Sequence, residues 1–167
     1  MLRFITIFVA ILSALFVLEM LQPVQLQVVQ PFTALLAELC AILIAPFDNE
    51  VLHYGRVLQH QGSNFAVSIE AGCNGVEATI VLVAAVVAFP GAWLHRLVAI
   101  ILGFFAIQIM NIARIISLFY LGQWNLDIFS WTHLYLWPVL IMLDVMVVFL
   151  LYLRFLGRST TAQAVTA

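Results

Sequence analysis

Four stretches of the chain, residues 4–21, 76–94, 97–121 and 134–155, are apolar on every face over about the length of a bilayer crossing, and the segments between them are more polar. Roughly 20 helical residues cover the hydrocarbon thickness of a membrane, so each stretch predicts a transmembrane helix. A fifth run, 32–47, is shorter and carries Glu38, which leaves three placements open: interfacial, re-entrant or spanning. Past residue 50 the pattern changes period. Phe65, Val67 and Ile69 alternate with Ala66, Ser68 and Glu70 behind the turn signal Gly62-Ser63-Asn64, which predicts a strand. Val51 to Gln59 is its expected partner, giving a short hairpin that leads into Cys73. The expected fold is therefore an all-α polytopic membrane protein, a bundle of about four to five transmembrane helices with a β-hairpin-like loop. It forms one integral membrane domain, 1–158, followed by a small polar tail, 159–167, expected to be disordered.

Composition narrows this further. Of 167 residues 65% are hydrophobic and only 8% charged, and the mean hydropathy of +1.16 lies far outside the range of soluble domains. Residues 1–20 lack an evident small-residue cleavage site and read as a retained helix. The net charge of -2, with no basic patch, excludes nucleic acid as a partner. Arginines next to helix ends set the orientation, because cytoplasmic loops are enriched in basic residues. Arg96, Arg154 and Arg158 mark cytoplasmic ends, which puts the loops 48–72 and 122–132 outside. Arg3 is cytoplasmic as well if 32–47 does not fully cross, the placement adopted here.

This topology gathers three chemically complementary residues on the outer side. Cys73 stands between Gly72 and Gly75, where a water-facing loop enters an apolar segment. At a helix N-terminus, free amides and the dipole favour a thiolate, and the glycines admit a substrate backbone. With Cys40 inside an apolar run, no disulfide framework is expected. Arg114 lies seven residues before Leu121, about 10 Å below the end of its helix. An arginine there is costly, and it faces the bundle interior or water. Gln108, Asn111 and Arg114 form one drifting stripe, in which Asn111 is expected to orient Arg114. The structural alternative is an arginine paired with a carboxylate such as Glu70 or Glu77. His133 sits among Trp131, Tyr135 and Trp137; it is either a residue of the interfacial aromatic belt or the proton carrier that cysteine nucleophiles commonly use. Glu19, Glu38 and Asp144 have no assigned role. His53, His60 and Arg56 do not make a convincing metal site, and nothing calls for a metal or other cofactor.

The ordered set of Glu70-Ala71-Gly72-Cys73-Asn74-Gly75, Asn111-Ile112-Ala113-Arg114-Ile115 and His133 resembles the exosortase/archaeosortase family of membrane-embedded transpeptidases, over roughly residues 30–155. Many members carry Cys-Ser-Gly where this chain has Cys73-Asn74-Gly75, and most are longer; the small size and Asn74 are similar to the compact branch called exosortase H. The resemblance implies a multi-pass enzyme of the bacterial inner membrane with its active site on the outer face. Its partners would be the bilayer and exported proteins bearing a C-terminal sorting signal of the Pro-Glu-Pro type, which it would cleave and pass to an envelope acceptor. Cys73 would be the nucleophile, Arg114 the oxyanion or carbonyl clamp and His133 the acid and base, with Gly72, Asn74, Gly75 and Asn111 supporting them. A membrane protease releasing its substrate to water, and a non-enzymatic subunit or transporter, are the competing readings.

Overall fold

The computed structural model describes residues 2–157; the tail 159–167, expected to be disordered, lies outside the described residues. Five helices carry the chain: α1 (Leu2–Met20), α2 (Gln22–Ile44), α3 (Val76–Ala88), α4 (Trp93–Trp124) and α5 (Leu126–Gly157). All but α3 are long and apolar enough to cross a membrane. Between α2 and α3 lies a three-stranded antiparallel sheet, β1 (Val51–Tyr54), β2 (Val57–His60) and β3 (Ala66–Ser68), in the order β1-β2-β3. The chain is an all-α polytopic membrane protein with this sheet at one end of the bundle.

The differences from the sequence expectation have local causes. The apolar run 76–94 is not one helix: Pro90-Gly91 breaks it, Ala88 ends α3, and Trp93 already begins α4. With 13 residues, α3 is only about 20 Å long, shorter than the hydrocarbon core. The segment 51–59 is not a single partner strand either. It folds on itself at Gly55-Arg56, so β2 pairs both with β1 (Tyr54 opposite Val57) and with β3 (Leu58 opposite Val67). Gly55 has φ +55, which suits the first position of a two-residue hairpin loop.

Where 32–47 was expected, α2 starts ten residues earlier and stops at Ile44. Its start packs beside the end of α1, where Leu18 and Glu19 share a groove with Val76 and Thr79. Its last turns, through Cys40 and Ile44, join Val51, Leu58, Ile69, Ile115 and Phe119 in the core beneath the sheet. Both flanks of α2 thus lie toward the sheet end, while Phe32 reaches down to Phe104, 6.1 Å between ring centroids. Arg3 lies at the opposite end with Arg96, and Phe4 packs edge-on against Phe89. A second core holds α3, α4 and α5 together through Leu82, Val86, Ile107, Ile141 and Val145. Two π-helical turns interrupt regular winding, Gln25–Val29 in α2 and Thr132–Leu136 in α5.

Candidate active site

The loop from Ala71 to Gly75 joins the sheet to α3, and its shape is over-determined. The Cys73 amide donates to Glu70 O (2.9 Å) and closes a tight turn. Gly72 and Gly75 hold φ of +82 and +77, a region that disfavours any side chain. A Cβ at Gly75 would in addition lie 2.8 Å from Gln108 Nε2, the end of a side chain that would have to shift. Asn74 is fully buried: its Oδ1 accepts from the Val76 amide (3.0 Å) and its Nδ2 donates to Thr33 Oγ1 (3.1 Å), tying the loop to α2. Glu77, in the first turn of α3, accepts from the Gly72 amide. It is neither an outward charge nor the partner of Arg114, the two roles the sequence suggested.

Arg114 approaches from α4 and is only 6% exposed. Its Nη1 donates to Gly72 O (3.1 Å) and its Nη2 to Cys73 Sγ (3.4 Å). Among the described residues it makes no ion pair; the exposed Glu70 instead pairs with Arg56 at 3.0 Å. The positive charge, costly to bury, therefore faces the thiol rather than a neighbouring carboxylate. Asn111 is buried one turn below and its amide has no hydrogen-bond partner among the described residues. It does not orient Arg114 through a hydrogen bond, contrary to expectation. The two contacts to the Cys73 loop take that place.

His133 lies in the π-helical turn of α5 and stacks on Phe129, with ring centroids 5.7 Å apart and planes within 4°. Phe129 meets Phe65 edge-on, and Phe65 in turn touches Phe119 on α4. Gly122 is needed beneath Phe65, because a Cβ would collide with that ring. Aromatic packing thus connects the sheet to the histidine. Cys73, Arg114 and His133 line one cleft of about 150 Å³, with Glu70, Leu118 and Phe129 among its walls.

The electrostatics of the thiol depart from expectation. Cys73 precedes the first turn of α3 rather than standing within it, so the helix end is not its main influence. Burial pushes its pKa above the ordinary cysteine value. Arg114 acts in the opposite direction, and Glu77 and Glu70 add to the rise. At neutral pH the resting group is a thiol, so a role as nucleophile would require a base to remove its proton.

Sequence reasoning missed Thr33, Phe129 and Gly122, and it did not foresee the contact that Glu77 makes with the Gly72 amide. The i, i+4 spacing of Phe129 and His133 was the one signal open to inspection; the contacts of the other three join segments distant in sequence or depend on side-chain direction.

Comparison with known proteins adds one finding. A family model described as transmembrane exosortase (Exosortase_EpsH) matches residues 2–153. Neither the curated proteins nor the solved structures contain a match.

Proposed function

The chain belongs to the transmembrane exosortase family of membrane protein-sorting enzymes, and on that premise we propose that it is a cysteine transpeptidase acting on the C-terminal sorting signals of exported proteins. The contact of Arg114 with both Cys73 Sγ and Gly72 O, inside a cleft that His133 also lines, carries this reading. His133 takes the thiol proton as Sγ attacks the scissile carbonyl carbon. A C–S bond forms, and the electron pair of the C=O bond moves to oxygen. Arg114 stabilises that oxyanion, the kind of charge stabilisation that supplies a large share of catalysis in acyl transfer. The tetrahedral adduct collapses, the C–N bond breaks, and the imidazolium protonates the departing amine. An acceptor amine or hydroxyl then gives its proton to His133 and attacks the thioester, which releases the thiol.

The substrate is an exported protein whose signal consists of a Pro-Glu-Pro type motif, a transmembrane helix and basic residues. The enzyme sits in the inner membrane with the sheet end outward, because Arg3 and Arg96 gather at the opposite end. A motif leaving the bilayer on the sheet side then meets Cys73 at its own depth.

The test is co-expression with a secreted reporter carrying such a signal. Processing is expected with the wild type and not with Cys73→Ala, Arg114→Ala or His133→Ala, each inserted in the membrane to the normal level. Processing that survives Cys73→Ala overturns the thiol as nucleophile. A new amide or ester on the released carboxyl supports transfer, whereas a free acid makes the enzyme a hydrolase. Labelling of Cys73 by an impermeant maleimide from the outer side alone is expected, and labelling only from the cytoplasm overturns the orientation.

A further inference from the structure

At the end of the bundle opposite the sheet lies a cavity of about 680 Å³, several times larger than the cleft at Cys73, and none of the residues assigned to the site reaches it. Its walls are apolar: Phe4 and Ile7 of α1, Val87 at the end of α3, Phe89 in the break and Phe149 of α5. Among the described residues its polar side chains are two arginines, Arg3 and Arg96, and no carboxylate lines it. Arg96 is anchored at the chain break, its Nη2 donating to Phe89 O at 3.0 Å. Its Nε is buried and has no hydrogen-bond partner among the described residues. Arg3 is exposed, on the first turn of α1, and takes part in no ion pair among the described residues. Two uncompensated cations over an apolar chamber at a helix terminus call for a ligand with an anionic head and a hydrocarbon body.

We propose that this cavity is a binding site for an anionic phospholipid, its phosphodiester between Arg3 and Arg96 and the upper part of an acyl chain against Phe4, Phe89 and Phe149. Charge complementarity selects the headgroup, since basic pockets between helix ends on the cytoplasmic side attract anionic lipids. The apolar walls select a lipid over free phosphate, which would leave most of the chamber unfilled, and the volume falls within the usual range for small-molecule sites. The lipid would fasten the start of α1 to the α3–α4 break.

The test uses the full chain purified in a neutral detergent and titrated with phosphatidylglycerol or phosphatidylcholine, with bound lipid counted by native mass spectrometry. Phosphatidylglycerol is expected to be retained at least about tenfold better than phosphatidylcholine. Arg3→Gln and Arg96→Gln should each reduce that preference, and the double variant should abolish it. Arg56→Gln, at the sheet end, should leave it intact. Because Arg3 is exposed, Arg3→Gln tests the site even if Arg96→Gln disturbs the chain break. Equal retention of the two lipids, or a preference unchanged in Arg3→Gln and in the double variant, overturns the proposal. Displacement of phosphatidylglycerol by an equal concentration of inorganic phosphate overturns the assignment to a lipid.

Discussion

The two halves of α4 solve opposite problems. In the half away from the sheet, Ile107 joins Leu82, Ile141 and Val145 in an apolar three-helix core, and Gly103 lets α4 approach so closely that a Cβ would strike Leu82 and Val148. This is the small-residue packing by which membrane helices associate when no hydrophobic driving force separates helix from lipid. In the sheet-side half the same helix buries Gln108, Asn111 and Arg114, whose desolvation is compensated only in part. The first region is held by apolar contacts; the second holds a buried cation against a thiol. The contrast teaches that stability and chemistry are divided along the length of one helix, so substitutions at the two ends should fail in different ways.

The sharpest test of that division is Cys73→Ala. Processing of a sorting-signal reporter should fall to background, while the melting temperature in detergent stays within about a degree or two of wild type, because the half-buried thiol contributes little packing. Arg114→Gln should come next. Loss of one oxyanion donor typically costs about 10²–10³ in rate. Since Arg114 is the influence that lowers the Cys73 pKa, its removal leaves burial and the nearby carboxylates to raise that pKa further. The pH profile of Cys73 alkylation by iodoacetamide, followed on the peptide by mass spectrometry, should therefore move to higher pH. A shift to lower pH would break the electrostatic account.

At the opposite half, Gly103→Val should destabilise by about 1–3 kcal/mol through overpacking, read as a lowered melting temperature. Surviving protein should show an unchanged alkylation profile at Cys73, and a changed profile would mean that the halves are coupled. The smallest effect is expected from Asn74→Ser. Serine keeps an acceptor for the Val76 amide but is too short to reach Thr33, so about 1 kcal/mol of stability should be lost with processing largely retained. Full loss of processing would show that the tie to α2 also sets the position of Cys73.

Much of this was legible from the chain. Cys73, Arg114 and His133 were singled out by residue type and by their distance from membrane boundaries, and the structure brings all three to one cleft. The strand alternation at Phe65, Val67 and Ile69 carried through to β3, although its register partner was only the second half of 51–59. Pro90-Gly91 was visible, but a hydropathy pattern averages across a break that a backbone cannot ignore. The protonation state of Cys73 was not legible, because burial is a sum over segments far apart in sequence and it outweighs the single arginine that acts against it. Nor was the isolation of Asn111. Its spacing puts it on the same face as Arg114, yet spacing does not say which way a side chain turns.

The wide turn Thr132–Leu136 of α5 sets a phase. One residue of regular helix corresponds to about 100° of rotation, and a π-turn absorbs one residue beyond the regular winding. The helix before it, including Phe129, is thereby rotated relative to Ile141 and Val145, which pack against α3 and α4, and His133 sits within the turn itself. Deleting a single exposed residue of that turn, such as Tyr135 at 62% exposure, would return α5 to an even pitch with its composition otherwise intact. The imidazole would then swing about a quarter turn around the helix axis relative to Ile141 and Val145, out of the register in which it lines one cleft with Cys73.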